Sequence, residues 1–265
     1  LRHSVSNAGR GGHRPVHRAG GATPAILAVP GNLDLPTGGY GYDRRLLALL
    51  GGFGVDVRHL ALPGSFPMPA ADDLAATARA LRDAEADARA VLIIDGLAYG
   101  AMPAALIDTL PNPILALVHH PLCLEEGLSK ARQEELRALE TAALARAAHV
   151  VVTSPTTAAT LVAGFGVPPA RITVAPPGTD PAPRATGTGT PLQLLAVGSV
   201  VPRKAYATLV EALTPLRQRD WHLTIVGPTD LDAAAVCALR AAISDTALQD
   251  RIELTGPASA DAMSR

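Results

Sequence analysis

The sequence predicts an α/β chain built as two successive doubly wound parallel-sheet domains, the second of them truncated. Three observations predict it. From Pro24 onward short apolar runs alternate with longer amphipathic ones, the pattern of βαβ units that carry a parallel sheet. One stretch rich in Pro, Gly and Thr, Pro176–Pro191, interrupts that alternation, and the alternation then resumes. Apolar residues make up 48% of the chain and aromatic ones only 3%, so both cores must be assembled from Ala, Leu and Val.

Residues 1–22 contain no acidic side chain and intersperse Arg2, Arg10, Arg14 and Arg18 with Gly and His; they read as a disordered basic segment. The first domain, residues 23–178, follows. Its strands are expected at Ala25–Val29, Val55–Leu60, Ala90–Ile94, Ile114–Val118, His149–Thr153 and Ile172–Ala175, each a short run rich in Val, Ile and Leu. Helical periodicity falls between them, at Gly41–Leu50, Asp72–Ala86, Met102–Thr109, Glu125–Ala147 and Pro155–Gly164. Residues 179–191 form the linker, too turn-rich for a core element. The second domain, residues 192–265, offers strands at Leu192–Val197, His222–Val226 and Arg251–Thr255 and helices at Arg203–Arg219 and Ala233–Ser244. Ser259–Arg265 reads as the opening of one more helix, with Ser259 as its N-cap, so this sheet is expected to stop short of the five or six strands usual for its type.

A formal charge of −1 supplies no field that would draw the whole surface to nucleic acid, so any anion site must be local. Cys123 and Cys237 are too few for a disulfide framework or a metal cluster. No run approaches the ~18 consecutive apolar residues of a membrane span, and no apolar leader follows the basic start. A soluble cytoplasmic protein is the expectation.

Three segments carry chemistry. Thr37-Gly38-Gly39-Tyr40-Gly41-Tyr42-Asp43-Arg44 joins the first strand to the first helix, where glycines let backbone N–H groups approach an anion. A tight turn without a ligand is an equal reading, and Arg44 at the third glycine position breaks the dinucleotide fingerprint. His119-His120-Pro121 falls at the carboxyl end of the Ile114–Val118 strand, where open α/β sheets bind ligands. Adjacent side chains alternate faces, so one of His119 and His120 is expected to point into a cleft, with the other structural. Glu125 and Glu126 suit the start of the next helix. Val197-Gly198-Ser199-Val200-Val201-Pro202-Arg203-Lys204 places two cations in the expected first turn of a helix, opposed to its dipole unless an anion sits there; a solvated basic turn is the competing reading.

These segments, together with Thr153-Ser154, Val174-Ala175-Pro176-Pro177-Gly178-Thr179-Asp180, Ile225-Val226-Gly227 and Leu254-Thr255-Gly256, occur in the order found in retaining GT-B glycosyltransferases of family 4. From Pro24 to its end the chain resembles that family. The resemblance implies two Rossmann-like domains, an acceptor bound mainly by the first and a nucleotide-diphosphate sugar bound mainly by the second, with a cleft between them. It implies no metal and no cofactor beyond the donor substrate. Gly38 and Gly39 are expected near the donor phosphates, His119 or His120 near the transferred sugar as catalytic residues, Arg203 and Lys204 on the diphosphate and Gly256 near the nucleobase. The acceptor is open: a saccharide, a lipid-linked group or a small molecule, with peripheral membrane contact compatible with the second. Many relatives have Lys-Gly where this chain has Lys204-Ala205, and the family's Glu-x7-Glu segment falls beyond residue 265, so the chain by itself is expected to be an inactive fragment.

Two other readings stand beside it. A sugar-nucleotide isomerase of the same architecture pairs carboxylates with histidine for acid–base work, and Asp95 with His119 or His120 matches that pattern. A non-catalytic relative would keep the fold alone, against which Arg203 and Lys204 speak.

Overall fold

The computed structural model describes residues 22–84, 90–185, 187 and 189–263. Residues 1–21 of the basic segment and the expected end of the Asp72–Ala86 helix lie outside them. The chain divides into two compact units, Leu1–Gly178 and Thr179–Arg265. Among the described residues no helix is long and apolar enough to cross a membrane.

Unit 1 runs β1 (Thr23–Pro30), α1 (Gly38–Leu49), β2 (Val55–Leu62), α2 (Ala71–Ala84), β3 (Val91–Asp95), α3 (Gly96–Tyr99), α4 (Ala104–Ile107), β4 (Ile114–Val118), α5 (Lys130–Arg146), β5 (His149–Val152), α6 (Pro155–Phe165) and β6 (Ile172–Val174). The strands form one six-stranded sheet in the order β2-β1-β3-β4-β5-β6, parallel throughout. Alternation along the strands divides the core between two faces. Ile26, Ala28, Leu92, Ile94, Ala116, Val118, Val150 and Val152 pack with Leu81, Tyr99, Leu136, Leu144 and Leu161 from the helices. Ala25, Leu27, Val29, Ile93 and Leu117 face the other way, with Leu46 and Leu47 of α1 against them. Burial on both faces explains why these strands read as nearly continuous apolar runs.

Several helix ends differ from the sequence expectation, each for a local reason. Thr37 caps α1, its side chain accepting from the Tyr40 N–H at 3.2 Å, so the helix begins at Gly38 and not at Gly41. The expected Met102–Thr109 helix is a single turn, α4, with Pro103 as its N-cap, and a turn not expected from the sequence, α3, precedes it directly after β3. The expected Glu125–Ala147 helix starts only at Lys130: Gly127 takes a positive φ of 82° and Ser129 caps the helix through the Arg132 N–H.

Unit 2 runs β7 (Leu192–Val197), a 3-10 turn at Pro202–Lys204, α7 (Tyr206–Leu213), β8 (Trp221–Val226), α8 (Ala233–Asp245), β9 (Ile252–Gly256) and the short α9 (Ala260–Met263). Its described strands make a parallel three-stranded sheet, β7-β8-β9. Val210 of α7 and Leu239 and Ile243 of α8 pack on Leu223, Ile225 and Ile252. The expected Arg203–Arg219 helix is corrected at both ends. Ala205, at φ 51°, separates the 3-10 turn from α7, and Pro215 sits in a second 3-10 turn, Thr214–Leu216.

Candidate functional site

In unit 1 the chain leaves β1 toward β2 and leaves β3 toward β4, in opposite directions across the sheet. Such a switch of direction opens a crevice at the carboxyl ends of β1 and β3, the usual ligand position in an open α/β sheet. Asp43, Asp95 and His119 meet there.

Their meeting follows from periodicity. Asp95, the last residue of β3, pairs in register with Leu117 of β4. Side chains repeat every second residue along a strand, so His119, two beyond Leu117, shares a face with Asp95. That face is covered by α1, whose sheet-facing stripe carries Gly39, Asp43, Leu46 and Leu47 at helical spacing. Asp43 is therefore aimed at the strand tips from above.

His119 Nε2 lies 3.3 Å from Asp43 Oδ1 and 3.3 Å from Asp95 Oδ2. Asp43 is fully buried and Asp95 nearly so, while the imidazole keeps 24% of its side-chain surface. Asp95 is also the N-cap of α3, its Oδ1 accepting from the Leu97 N–H at 2.8 Å, so both its oxygens are engaged. Asp43 Oδ2 is buried without a hydrogen-bond partner. Tyr42 meets the imidazole edge-on at 5.4 Å between ring centres, and the Thr153 hydroxyl donates to the His119 carbonyl at 3.4 Å. Burial works against a charged His119, yet hydrogen bonds to Asp43 and Asp95 and their negative charge carry its pKa up to about 9. Burial pushes the Asp43 carboxyl up, and its hydrogen bond to His119 only partly opposes that. Among the described residues these three are the one group of His and carboxylate side chains whose ligand atoms fall within 4.8 Å of one another. A protonated imidazole would offset one of the two carboxylate charges, and burial favours the neutral form of Asp43.

A second buried acid grips the same segment from the opposite face. Glu140 of α5 accepts from the Leu122 N–H with both carboxylate oxygens, at 3.2 and 3.1 Å, in the 3-10 turn directly after His119-His120-Pro121. Burial raises its pKa to about 7 in spite of those backbone donors.

The sequence candidates in unit 1 separate. Gly38 and Gly39 form the first turn of α1, not a loop before it. A Cβ on Gly39 would stand 3.3 Å from the His119 ring, so glycine is what lets the helix approach the imidazole. His119 enters the cluster, and His120 is exposed. Asp43 and Glu140 were missed as partners of the segment, though a signal existed: each is an acid on the apolar stripe of an amphipathic helix.

In unit 2 the strand tips carry Gly198, Gly227 and Gly256, all at positive φ. The Gly198 N–H donates to the Val226 carbonyl and the Gly227 N–H to that of Gly256, both at 2.8 Å, so the three tips lie side by side. Lys204 folds its aliphatic stem back toward Gly198, 3.3 Å from where a Cβ would be, and the Tyr206 hydroxyl donates to the Gly198 carbonyl at 3.0 Å. Arg203 and Lys204 are exposed on the 3-10 turn, ahead of α7 and not within its first turn, so the expected opposition to a helix dipole does not arise there. The left-handed Ala205 accounts for the glycine that many relatives of the resembling family have at that position.

Residues 56–183 match the family model described as Glycosyltransferase Family 4, a span that includes Asp95 and His119 but not Asp43. No curated protein matches the chain in sequence. Among solved structures the chain is similar to a glycosyltransferase from Rickettsia africae ESF-5, at 15% identity and TM-score 0.65 over 90% of this chain and 69% of that one. It is similar to the lipopolysaccharide outer core galactosyltransferase WaaB in its apo form, at 13% identity and TM-score 0.58 over 90% and 70%. A third likeness is to HepE of Anabaena in complex with UDP and glucose, at 15% identity and TM-score 0.62 over 88% and 69%. The chain thus has the α/β fold with parallel sheets of GT-B glycosyltransferases, its second sheet the smaller, and residues 56–183 carry the sequence pattern of Glycosyltransferase Family 4.

Proposed function

We propose that this chain is a glycosyltransferase that takes a sugar from a nucleotide-diphosphate sugar and passes it to an acceptor with retention of configuration. The observation that carries the reading is that the span matching Glycosyltransferase Family 4 contains the crevice residues Asp95 and His119. Unit 1 binds the acceptor, which is a saccharide, a lipid-linked group or a small molecule. Unit 2 binds the donor. HepE, with UDP and glucose bound, supports a nucleotide sugar as the donor class. Arg203 and Lys204 take the diphosphate, the first by a forked contact and the second as a point charge, and so stabilise it as the leaving group. The glycine tips supply a backbone floor without Cβ atoms, with Gly256 toward the nucleobase. Gly38 and Gly39, in the first turn of α1, present N–H groups to the donor phosphates. His119 donates a hydrogen bond to the transferred sugar. No metal is required in this scheme, because Arg203 and Lys204 meet the charge that develops on the diphosphate.

Residues 192–265 contain Glu211 and Glu253 as their glutamates, which do not form the family's Glu-x7-Glu pair. The 265-residue chain is therefore proposed to bind a donor without transferring it. Calorimetry with UDP, GDP and ADP tests the donor reading: one of them binds, and the Arg203→Ala/Lys204→Ala double variant loses several kcal/mol, at ~1.5–3 kcal/mol for each charge-assisted contact. Equal affinity in the double variant sinks the diphosphate assignment. The isomerase reading is favoured by one observation, the 3.3 Å approach of His119 to Asp95. Sugar-nucleotide interconversion without an acceptor, followed by NMR, would establish it in place of transfer.

A further inference from the structure

The cluster at the strand tips holds more than a histidine near a ligand site. One ring nitrogen, Nε2, faces two carboxylates that arrive from different elements, Asp43 from α1 and Asp95 from the end of β3, each at 3.3 Å. An unprotonated Nε2 can donate to neither, so the ring must carry a proton on Nε2, shared between the two acceptors. With a neutral ring no buried carboxylate charge here is balanced, whereas an imidazolium balances one of them, and burial already pushes the Asp43 carboxyl toward its neutral form. Asp43 sharpens the point, because its Oδ2 has no other partner and its burial is complete. Gly39 closes on the Cδ2–Nε2 edge of the ring, with a Cβ position 3.3 Å from Cδ2 and 3.6 Å from Nε2. That side of the imidazole is committed to the protein. Nδ1 is the nitrogen the carboxylates do not hold.

We propose that Asp43 and Asp95 are positioning residues that fix His119 as an imidazolium, so that it meets its ligand as a cationic N–H donor through Nδ1 and never as a proton acceptor. The ligand-facing half of this statement rests on the proposed function; the protonation state does not. The direction of the His119 titration agrees with the geometry, being raised against the effect of burial. The groups that face the ring are Asp43 and Tyr42 from α1, Asp95 from the tip of β3 and the Thr153 hydroxyl on the carbonyl side. Arg44 and Tyr40 act on it at one remove, through their charge coupling to the two carboxylates. The consequence is chemical. A general-base step at His119, which the isomerase reading needs, is closed to it, whereas hydrogen bonding to a sugar hydroxyl or to negative charge developing on oxygen is open.

The test is side-chain NMR on the 265-residue chain labelled at histidine nitrogen and carbon, titrated from pH 5 to pH 10, with His119→Gln to assign the resonance. Both ring nitrogens of His119 should stay protonated through pH 8 and titrate near 9. Asp43→Asn and Asp95→Asn should each lower that midpoint by about one unit or more, a tenfold change in proton affinity. In donor binding, wild type should show no His119-dependent loss of affinity between pH 6 and pH 8, and the Asn variants should lose affinity as the ring deprotonates. A merely structural role for the two acids would leave the midpoint in place. The proposal falls if wild-type His119 titrates near 6.5, if neither Asn substitution moves it, or if equimolar Zn²⁺ or Mn²⁺ displaces the Nε2 proton. The wild-type titration needs no variant, so misfolding of one cannot shelter the idea. Absence of nucleotide binding together with a raised His119 midpoint would defeat the function alone. Nucleotide binding with an ordinary midpoint would defeat this inference alone.

Discussion

The two units follow one plan and differ in how far the plan is covered. In unit 1 both faces of the sheet are packed, Ile26, Ala28, Leu92 and Ile94 on one side and Ala25, Leu27, Val29 and Ile93 on the other. In unit 2 the described helices α7 and α8 pack on one face, and on the opposite face of β7 Leu195 and Val197 remain 62% and 53% exposed. The buried polar and charged side chains among the described residues, Asp43, Thr77, Asp95, Glu140 and Thr157, all belong to unit 1. The difference teaches that a sheet must be closed on both faces before it can hold ionisable groups in its interior. Burial of that depth is what raises Glu140, and the buried Asp43 and Asp95 are what raise His119.

The comparison is broken most severely by the same leucine truncation in each unit, on a helix packed against the sheet in unit 1 and on the exposed face of β7 in unit 2. Leu136→Ala removes a fully buried contact in unit 1 and should destabilise it by about 2–5 kcal/mol, whereas Leu195→Ala in unit 2 should cost no more than ~0.5 kcal/mol. Urea unfolding with a probe in each unit reads both, and similar losses would show that the exposed face of β7 is covered in solution.

A smaller effect follows from the interior acids. The folded-state pKa of Glu140, about 7, exceeds its ordinary 4.5, and that of His119, about 9, exceeds 6.5. Groups raised in this way stabilise the folded state fully below their unfolded pKa, and that contribution disappears as pH rises through the folded value. Unit 1 should therefore weaken from about pH 4.5 to pH 7 through Glu140, and from about pH 6.5 to pH 9 through His119, each by on the order of 1–3 kcal/mol. Glu140→Gln, measured by urea midpoints at pH 5, 7 and 9, should flatten the lower window and leave the upper one; an unchanged profile would remove Glu140 from the account.

Smallest is a gain. Ala205 holds a left-handed φ of 51° without a glycine's freedom. The strain of about 1–2 kcal/mol, less the added freedom of the unfolded chain, leaves Ala205→Gly more stable by up to ~1 kcal/mol in unit 2 and neutral in unit 1. Thermal unfolding monitored at Trp221, which lies in unit 2, would detect it, and destabilisation would mean that the turn depends on the Ala205 methyl group.

The six strands of unit 1 were legible because a sheet buried on both faces leaves runs such as Val91–Ile94 with no polar interruption. Helix starts were less so. Thr37 and Ser129 are capping residues by type, but flanking glycines obscured which of several positions the chain would choose. His119 was legible from its place after a strand. Its partner Asp43 lies 76 residues away in sequence, and only the fold brings α1 over β4. Asp43 and Glu140 are each one acid among apolar neighbours on a helix, a pattern visible in sequence whose counterpart across space is not. The basic turn was read as the start of a helix, and it is not one, because Ala205 gives no hint of the left-handed conformation that stops Pro202–Lys204 from joining α7.

The contact between two strand tips in unit 2 has an evolutionary consequence. A Cβ at Gly227 would come within 2.0 Å of the Gly198 carbonyl oxygen, so no rotamer and no local relaxation makes room for any other residue. Gly256, third in the row, has open space where its Cβ would be, and its constraint is the backbone angle alone, which asparagine tolerates. Drift is thus forbidden at one tip and permitted at its neighbour. Glycine is required twice over at position 227, by space and by backbone angle, and is favoured at position 256 by angle alone.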